Sequence, residues 1–151
     1  MENYLLIKES NFDKARKLIK ENQKKNIIFS SNDDELNRKI LEKETINVLL
    51  LSQTGKKDFH KQRNSGLNHV LAKLAKKNNV AIGINLDEII LSEAKKKADV
   101  LARIMQNIRI CNKNKLKMKF IAQNKNNERN IFDLKSLGLV LGMPTWMTKD
   151  L

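Results

Sequence analysis

The 151-residue sequence has one cysteine, one proline and five glycines. A lone cysteine excludes an internal disulfide and a zinc site built from clustered cysteines. Because Cys111 falls on a helical pattern, we expect it to be a small buried hydrophobic residue. The scarcity of proline and glycine leaves no obvious interdomain linker, and no apolar run approaches the ~20 residues that cross a bilayer. With no signal-peptide layout at its N-terminus, the sequence predicts a soluble, cytoplasmic protein of one domain.

Residues that carry catalysis are also scarce. The two histidines, His60 and His69, are nine residues apart, and neither belongs to a His-x-His or His-x-x-x-His pair. Metal-dependent hydrolysis on a barrel would need clustered histidine and carboxylate ligands at strand ends. The segment Gly55-Lys56-Lys57 lacks the first glycine and the hydroxyl residue of a phosphate-binding P-loop. Asp87 and Asp133 are better explained as helix caps, so a self-contained hydrolase is disfavoured.

Positive charge is abundant and unevenly placed. The net charge is +13, and residues 1–60 contain 12 Lys and Arg against 10 Asp and Glu, whereas residues 61–151 contain 18 against 7. Such a field attracts polyanions, of which nucleic acid is the commonest in the cytosol. A lysine-rich genome is the other explanation, but that bias should also tip the first 60 residues. Few exposed aromatic pairs are expected, which favours recognition of an RNA fold through its backbone over stacking on single strands.

Short apolar runs alternate with helical patterns along the whole chain. Strands are predicted at residues 4–7, 27–29, 46–51, 80–85 and 118–122. Uninterrupted apolar character is typical of buried parallel strands joined by right-handed crossovers. Five such units are too few for a complete eight-stranded barrel of ~250 residues. We therefore predict an α/β fold with mostly parallel strands, an incomplete or variant TIM-like (β/α) barrel, with a doubly wound sheet as the alternative.

Three local patterns give more detailed predictions. Asn32 with Glu35 predicts a capping box for the second helix. A helix whose start is marked by Gly66 is predicted to bury one face, composed of Leu67, Val70, Leu71 and Leu74. Asp87 is predicted to begin one long helix whose apolar stripe reaches Ile108.

The stretch 61–85 carries the strongest functional signal, because a basic loop leads into a helix and a buried strand. Arg63 lies two residues before Ser65-Gly66 at a predicted helix start, where backbone N–H groups attract phosphate. Its guanidinium could clamp phosphate with two hydrogen bonds, although a structural salt bridge is also open. His69 would lie one turn into the helix, and a packing or capping role is the other interpretation. The predicted binding cations are Lys56, Lys57, Lys61, Arg63, His69, Lys125 and Arg129.

The run from Arg63 to Ile82 resembles the central signature of the archaeal and eukaryotic ribonuclease P protein component 3 family. The helix with Arg109-Ile-Cys before the strand at Met118 and the stretch 128–143 are similar as well, so the resemblance covers most of residues 30–143. It implies a variant barrel related to metal-dependent phosphoesterases but without their metal cluster. It also implies a subunit of the ribonucleoprotein that removes the 5′ leader from precursor tRNA.

On this resemblance, catalysis belongs to the RNA and its magnesium ions, and the protein itself binds no cofactor. Ribonuclease P protein component 2 is the expected partner, with two copies of each protein. Arg63 and Arg129 are carried over as RNA or partner contacts, His69 less directly, and Arg109 joins them. The sequence departs from the family at Asn64, where an acidic residue is expected, and residues 1–151 are expected to form one domain shortened at one or both ends. A stand-alone phosphoesterase and a general structured-RNA-binding protein remain the alternatives.

Overall fold

In the computed structural model, which describes residues 3–151, a parallel sheet is combined with helices. The strands are β1 (Tyr4–Lys8), β2 (Asn26–Ser30), β3 (Val48–Leu51), β4 (Ala81–Asn85) and β5 (Met118–Ile121). The helices are α1 (Phe12–Glu21), α2 (Asp34–Lys43), α3 (His69–Lys77), α4 (Leu86–Leu91), α5 (Ala94–Lys113), α6 (Ile131–Val140) and α7 (Thr145–Lys149). A short 3-10 turn covers Lys125–Asn127.

The strands lie in the order in which they occur in the chain, and each is parallel to its neighbours. Alternating side chains divide the sheet into two faces. Leu49 and Leu51 join the large core that the helices cover, whereas Val48 and Leu50 join a small cluster on the other face. A doubly wound sheet reverses its strand order and carries helices on both faces. Sequential order with helices on one face is the arrangement of a barrel segment, so the predicted incomplete barrel is confirmed and the doubly wound alternative is wrong.

The two outer strands are joined across the face that lacks helices. Nζ of Lys119 in β5 lies 2.7 Å from the hydroxyl of Tyr4 in β1 and 5.4 Å from the centre of its ring. The side chain of Lys119 is partly buried beside Tyr4. A cleft of about 880 Å³ is lined by residues of these two strands and also by Ile131 and Leu134 of α6 and by Leu151.

Helix α3 begins three residues after the predicted marker, Gly66. Asn68 caps the helix by accepting a hydrogen bond from the N–H of Leu71 at 2.8 Å, and Gly66 (φ +76) lies in the loop before it. The later start changes the buried face, which consists of Leu71, Ala72 and Ala75. Val70 is 65% exposed, so its predicted burial is wrong, whereas Leu67 is buried as predicted but lies ahead of the helix.

The long helix predicted from Asp87 is two helices. Asn85 caps α4 by accepting a hydrogen bond from the N–H of Glu88 at 3.4 Å, and α4 ends at Leu91. Ala94, the first residue of α5, has φ +47, a left-handed conformation that interrupts a right-handed helix. The break leaves Asp87 in the first turn of α4, where its carboxylate contacts another loop.

Other local predictions have mixed outcomes. Asp33, rather than Asn32, caps α2 by accepting hydrogen bonds from the first turn of the helix. Cys111 is fully buried as expected, and burial raises the pKa of its thiol to about 12. Trp146 docks on the end of α5, where its indole N–H donates to Asn112 at 3.0 Å. Within residues 3–151, no helix has the length and apolar character needed to cross a membrane.

Candidate nucleic-acid interface

Two basic loops lie at the carboxyl edge of the sheet. We call residues 52–68, which follow β3, the β3–α3 loop, and residues 122–130, which follow β5, the β5–α6 loop. Strand β4 lies between β3 and β5 and continues directly into α4. Because parallel strands end at the same edge, both loops lie on the same side of the molecule and flank α4. These loops contain Lys56, Lys57, Lys61, Arg63, Lys125 and Arg129.

Two adjacent carboxylates of α4 hold the two loops. Glu88 accepts a hydrogen bond from the backbone N–H of Gln53 at 2.8 Å, at the start of the β3–α3 loop. Asp87 accepts from the backbone N–H of Gln123 at 2.8 Å and from the side-chain amide of Asn127 at 2.8 Å, in the β5–α6 loop. The predicted cap role of Asp87 is therefore wrong, because its oxygens face the neighbouring loop.

Arg103 of α5 forms hydrogen bonds that hold the centre of the β3–α3 loop. This side chain is 7% exposed and donates to the carboxylate of Asp58 at 3.1 Å. It also donates to the main-chain oxygens of Gln53 at 3.4 Å and Lys56 at 3.0 Å. The backbone N–H of Asn64 donates to Asp58 at 3.0 Å. This hydrogen bond first, and the Arg103 guanidinium second, lower the pKa of Asp58.

The far end of the same loop is anchored through Ser65, which is 1% exposed. Its main-chain oxygen accepts hydrogen bonds from Gln53 at 2.9 Å and Asn107 at 3.1 Å. Gln106 donates to the Ser65 hydroxyl and to the main-chain oxygen of Arg63, each at 3.1 Å. Hydrogen bonds thus hold the β3–α3 loop near both ends and at its centre. The exposed residues between these contacts, 57–63, form what we call the rim of the loop.

These anchors were missed by sequence reasoning, which assigned no contact to Arg103. The spacing of residues in α5 indicates the burial of Arg103. Arg103 lies three residues after Val100 and four before Asn107, so the three share one face of the helix, and all three are buried. An arginine in such a stripe must find acceptors inside the protein. The acceptors themselves are 45 or more residues away along the chain.

The predicted cations of the β3–α3 loop divide into two groups. Lys57, Lys61 and Arg63 are exposed on its rim. Lys56 is different, because its side chain is 12% exposed and its Nζ lies 3.0 Å from the carboxylate of Asp34 in α2. Among the described residues, the Arg63 guanidinium makes no hydrogen bond or close ion pair, so the salt bridge considered for it is absent there. Its positive charge nevertheless contributes to the lowered pKa of Asp58.

His69 and Arg109 lie beside this loop. His69 is the first residue of α3, not one turn into it, and its Nδ1 is 3.0 Å from the side-chain nitrogen of Asn114. This contact ties the start of α3 to the end of α5. Arg109 is exposed on α5, one helical turn beyond Gln106, whose amide holds the loop.

The β5–α6 loop carries its cations in a different way. Lys125 is exposed in the 3-10 turn, whereas Arg129 donates to the main-chain oxygens of Asn126 at 3.2 Å and Glu128 at 3.0 Å. Asn130 then caps α6 by accepting from the N–H of Asp133 at 2.9 Å, and its amide donates back to the Asp133 carboxylate at 2.8 Å. Asn130 is therefore the cap of α6, and the capping role predicted for Asp133 is wrong, because Asp133 lies in the first turn of the helix.

Throughout residues 3–151, no three His, Cys, Asp or Glu side chains come together as a group that could hold a metal ion. The two adjacent carboxylates at the carboxyl edge, Asp87 and Glu88, accept hydrogen bonds from the flanking loops. The exposed cations of this edge include Lys57, Lys61, Arg63 and Lys125.

A family profile described as RNase P subunit p30 matches residues 5–150. The chain belongs to the RNase P subunit p30 family. The membership expected from the run Arg63 to Ile82, the helix before Met118 and the stretch 128–143 is thus confirmed. The match begins within β1 and extends beyond residues 30–143, so it includes both basic loops and the helix that anchors them.

Ribonuclease P protein component 3 of Methanococcus vannielii is 31% identical over 111 residues, which cover 72% of this chain and 46% of that protein. The protein of the same name from Methanococcoides burtonii is 37% identical over 70 residues, which cover 46% of this chain and 26% of that protein. This RNase P subunit p30 chain therefore matches less than half the length of either relative.

Solved structures show the same fold. A chain in the cryo-EM structure of archaeal ribonuclease P with mature tRNA superposes with a TM-score of 0.81 at 24% identity, covering 98% of this chain and 63% of that chain. A crystal structure of an uncharacterized protein gives a TM-score of 0.60 at 10% identity, covering 92% and 39%. In both, the fold of this RNase P subunit p30 chain corresponds to part of a longer chain.

Proposed function

We propose that this chain is a protein subunit of an archaeal-type ribonuclease P, the ribonucleoprotein that removes the 5′ leader from precursor tRNA. Membership in the RNase P subunit p30 family is the observation that carries the proposal. The complex would be the endoribonuclease, and its RNA and magnesium ions would perform the cleavage while this chain alone is inactive. A cytoplasmic location belongs to the same proposal.

The charge of the carboxyl edge supports an RNA-facing role. Lys57, Lys61 and Arg63 stand on a loop whose base is fixed by buried hydrogen bonds. Fixed cations bind phosphate with a smaller loss of conformational freedom than mobile ones. Contacts of this kind position an RNA without reading its sequence, which suits a subunit that supports a folded catalytic RNA.

The proposal includes protein component 2 as the partner, with two copies of each protein in the assembly. Its support is the family resemblance of the stretches 63–82 and 128–143. Arg129 and His69 are the residues that we assign to the contact with the protein partner. His69 is exposed at the start of α3, and Arg129 is exposed just before the cap of α6.

Reconstitution tests the function directly. The chain would be combined with ribonuclease P RNA and component 2 from Methanococcus vannielii, and precursor-tRNA cleavage would be measured at low magnesium. We expect the chain to raise the cleavage rate. Component 3 of the same organism is the positive control, and a gain with that protein but none with this chain would refute the proposal.

A general RNA-binding protein is the second candidate, favoured by the excess of 18 Lys and Arg over 7 Asp and Glu in residues 61–151. It predicts equal affinity for ribonuclease P RNA and for an unrelated structured RNA, such as a ribosomal RNA fragment of equal length. The ribonuclease P proposal predicts tighter binding of the first RNA at the same salt concentration. No observation favours a stand-alone phosphoesterase.

A further inference from the structure

The outermost part of the β3–α3 loop is a small hairpin. The N–H of Phe59 donates to the main-chain oxygen of Gln62 at 2.8 Å, and the N–H of Gln62 donates back at 3.4 Å. His60 and Lys61 form the two-residue turn between them. Phe59 is 61% exposed, so the hairpin holds an aromatic ring in solvent.

The ring is presented from an ordered position. Asp58, the residue before Phe59, is held by the Arg103 guanidinium at 3.1 Å and by the N–H of Asn64 at 3.0 Å. The chain on the other side of the hairpin is held through the main-chain oxygen of Arg63. A partner that binds this ring therefore orders little of the protein, which favours affinity.

The surroundings of the ring are cationic. Lys57, Lys61 and Arg63 are exposed within four residues of Phe59, as is His60. The single acidic residue of this segment, Asp58, is already paired with Arg103. The ring thus lies in a field that attracts an anionic partner.

Two other exposed apolar side chains, Leu91 and Phe132, differ from Phe59 in their surroundings. Leu91 is 68% exposed but borders Asp87, Glu88 and Glu93. Phe132 is 76% exposed on α6, on a helix whose residues Leu139 and Val140 are exposed as well. A lone exposed apolar side chain is ordinary, but an ordered ring among cations fits a ligand that is both flat and anionic.

We propose that Phe59 stacks on an unpaired base of a structured RNA while Lys57, Lys61 and Arg63 contact the phosphates around that base. The inference rests on the proposed function and adds a base contact to a surface otherwise suited to phosphates. Sequence-specific RNA recognition uses unstacked bases placed on aromatic rings, and such stacking tolerates several bases because every base has a π-face. An apolar pocket in a protein partner would take the ring without using the cations.

Two substitutions separate these possibilities. Phe59→Leu keeps much of the apolar area and removes the aromatic face, whereas Phe59→Trp keeps the face. Affinity for a transcript of Methanococcus vannielii ribonuclease P RNA would be measured over a range of salt concentrations. We expect Phe59→Leu to weaken binding roughly 5- to 100-fold and Phe59→Trp to stay within about twofold of the original chain. The salt slope should not change, because no charge is removed.

The control is Leu91→Ala, which removes an equally exposed apolar side chain near carboxylates and should leave RNA affinity unchanged. Thermal melts of each variant check that the fold persists. Chemical probing should show one single-stranded nucleotide that the original chain protects and Phe59→Leu does not.

Equal RNA affinity of Phe59→Leu and the original chain would overturn the inference while leaving the proposed function standing. A loss of cleavage that appears only with component 2, at unchanged RNA affinity, would overturn it in favour of a protein pocket. If the original chain neither binds the RNA nor raises cleavage, the proposed function fails and the inference with it.

Discussion

Arg63 in the β3–α3 loop and Arg103 in α5 differ in where their guanidinium groups point. Arg103 is 7% exposed and directs its donors to Asp58 and to main-chain oxygens. Arg63 is exposed, and the contact that holds it is made by its main-chain oxygen with Gln106. The planar guanidinium suits both tasks, since it forms several hydrogen bonds in a fixed geometry. Asp58 balances the charge of Arg103, whereas the exposed guanidinium of Arg63 would contact a phosphate in the proposed interface.

Substitution of Arg63 tests this division. Arg63→Ala should weaken binding of ribonuclease P RNA and reduce the magnitude of the salt slope by about 0.9, the value of one phosphate contact. Titrations at several salt concentrations measure both. Arg38→Ala is the matched control, because Arg38 is an exposed arginine of α2 paired with Glu42 at 2.9 Å. An unchanged salt slope for Arg63→Ala would assign the residue a structural role.

Arg103 should act on RNA binding only through the loop. Arg103→Met leaves buried acceptors without a donor, which costs roughly 1–3 kcal/mol of unfolding free energy and should speed amide exchange across the β3–α3 loop. Urea denaturation and hydrogen exchange measure these effects. Arg109→Met, an exposed change on the same helix, should leave the unfolding free energy unaltered. Equal stability of both variants would contradict the anchoring role.

At the scale of elements, the β3–α3 loop should respond to acid through Asp58. The hydrogen bond from Asn64 and the charge of Arg103 lower the native pKa of this carboxyl below its ordinary value of 3.8. Its contribution to loop order is therefore complete above pH 3.8 and is lost as the pH falls through the lowered native pKa. The amide resonance of Asn64 should titrate with a midpoint below 3.8, and Asp58→Asn should abolish that titration. A midpoint at or above 3.8 would show that the contact does not persist in solution.

The break between α4 and α5 makes a second prediction for an element. Ala94 holds φ +47, which costs an L residue about 1–2 kcal/mol, whereas glycine adopts it freely. Ala94→Gly should therefore raise the unfolding free energy by about 0.5–1 kcal/mol after the added flexibility of the unfolded chain is subtracted. Ala98→Gly, at an exposed position inside the same helix, should lower it by a similar amount. Destabilisation by both would mean that α4 and α5 are continuous.

These elements show what the sequence could and could not predict. The strands follow from apolar runs such as Val48–Leu51, because burial on both faces leaves a local pattern. Helix starts are less certain: Gly66 and Asn68 both carry start signals, and the side-chain cap at Asn68 decides between them. The loop anchors have no local pattern, because Glu88 and Gln53 meet across 35 residues of chain. The exposed cations were predicted, but the buried contacts that position them required the fold.

At the scale of the whole molecule, the strand order places the two basic loops at the same edge of the sheet. The first two βα units and the beginning of the β3–α3 loop, with Lys56 and Lys57, lie within residues 1–60, which are nearly neutral. Residues 61–151 supply the rest of that loop, the β5–α6 loop and the helices that follow each of them. Sequential parallel strands deliver these loops to one edge of the sheet. The six cations of these two loops therefore lie at one edge of the sheet.

Two triple variants with the same net charge test whether location or total charge governs RNA binding. The first replaces Lys57, Lys61 and Arg63 with Gln. The second replaces Lys17, Lys20 and Lys24, all exposed in or after α1, with Gln. Both remove three positive charges, so attraction by net charge alone predicts equal losses of affinity. If the β3–α3 loop contacts phosphates, the first variant should lose binding steeply and reduce the magnitude of the salt slope by roughly 2–3, while the second stays close to the original chain. Equal losses would instead favour the general attraction of a lysine-rich surface.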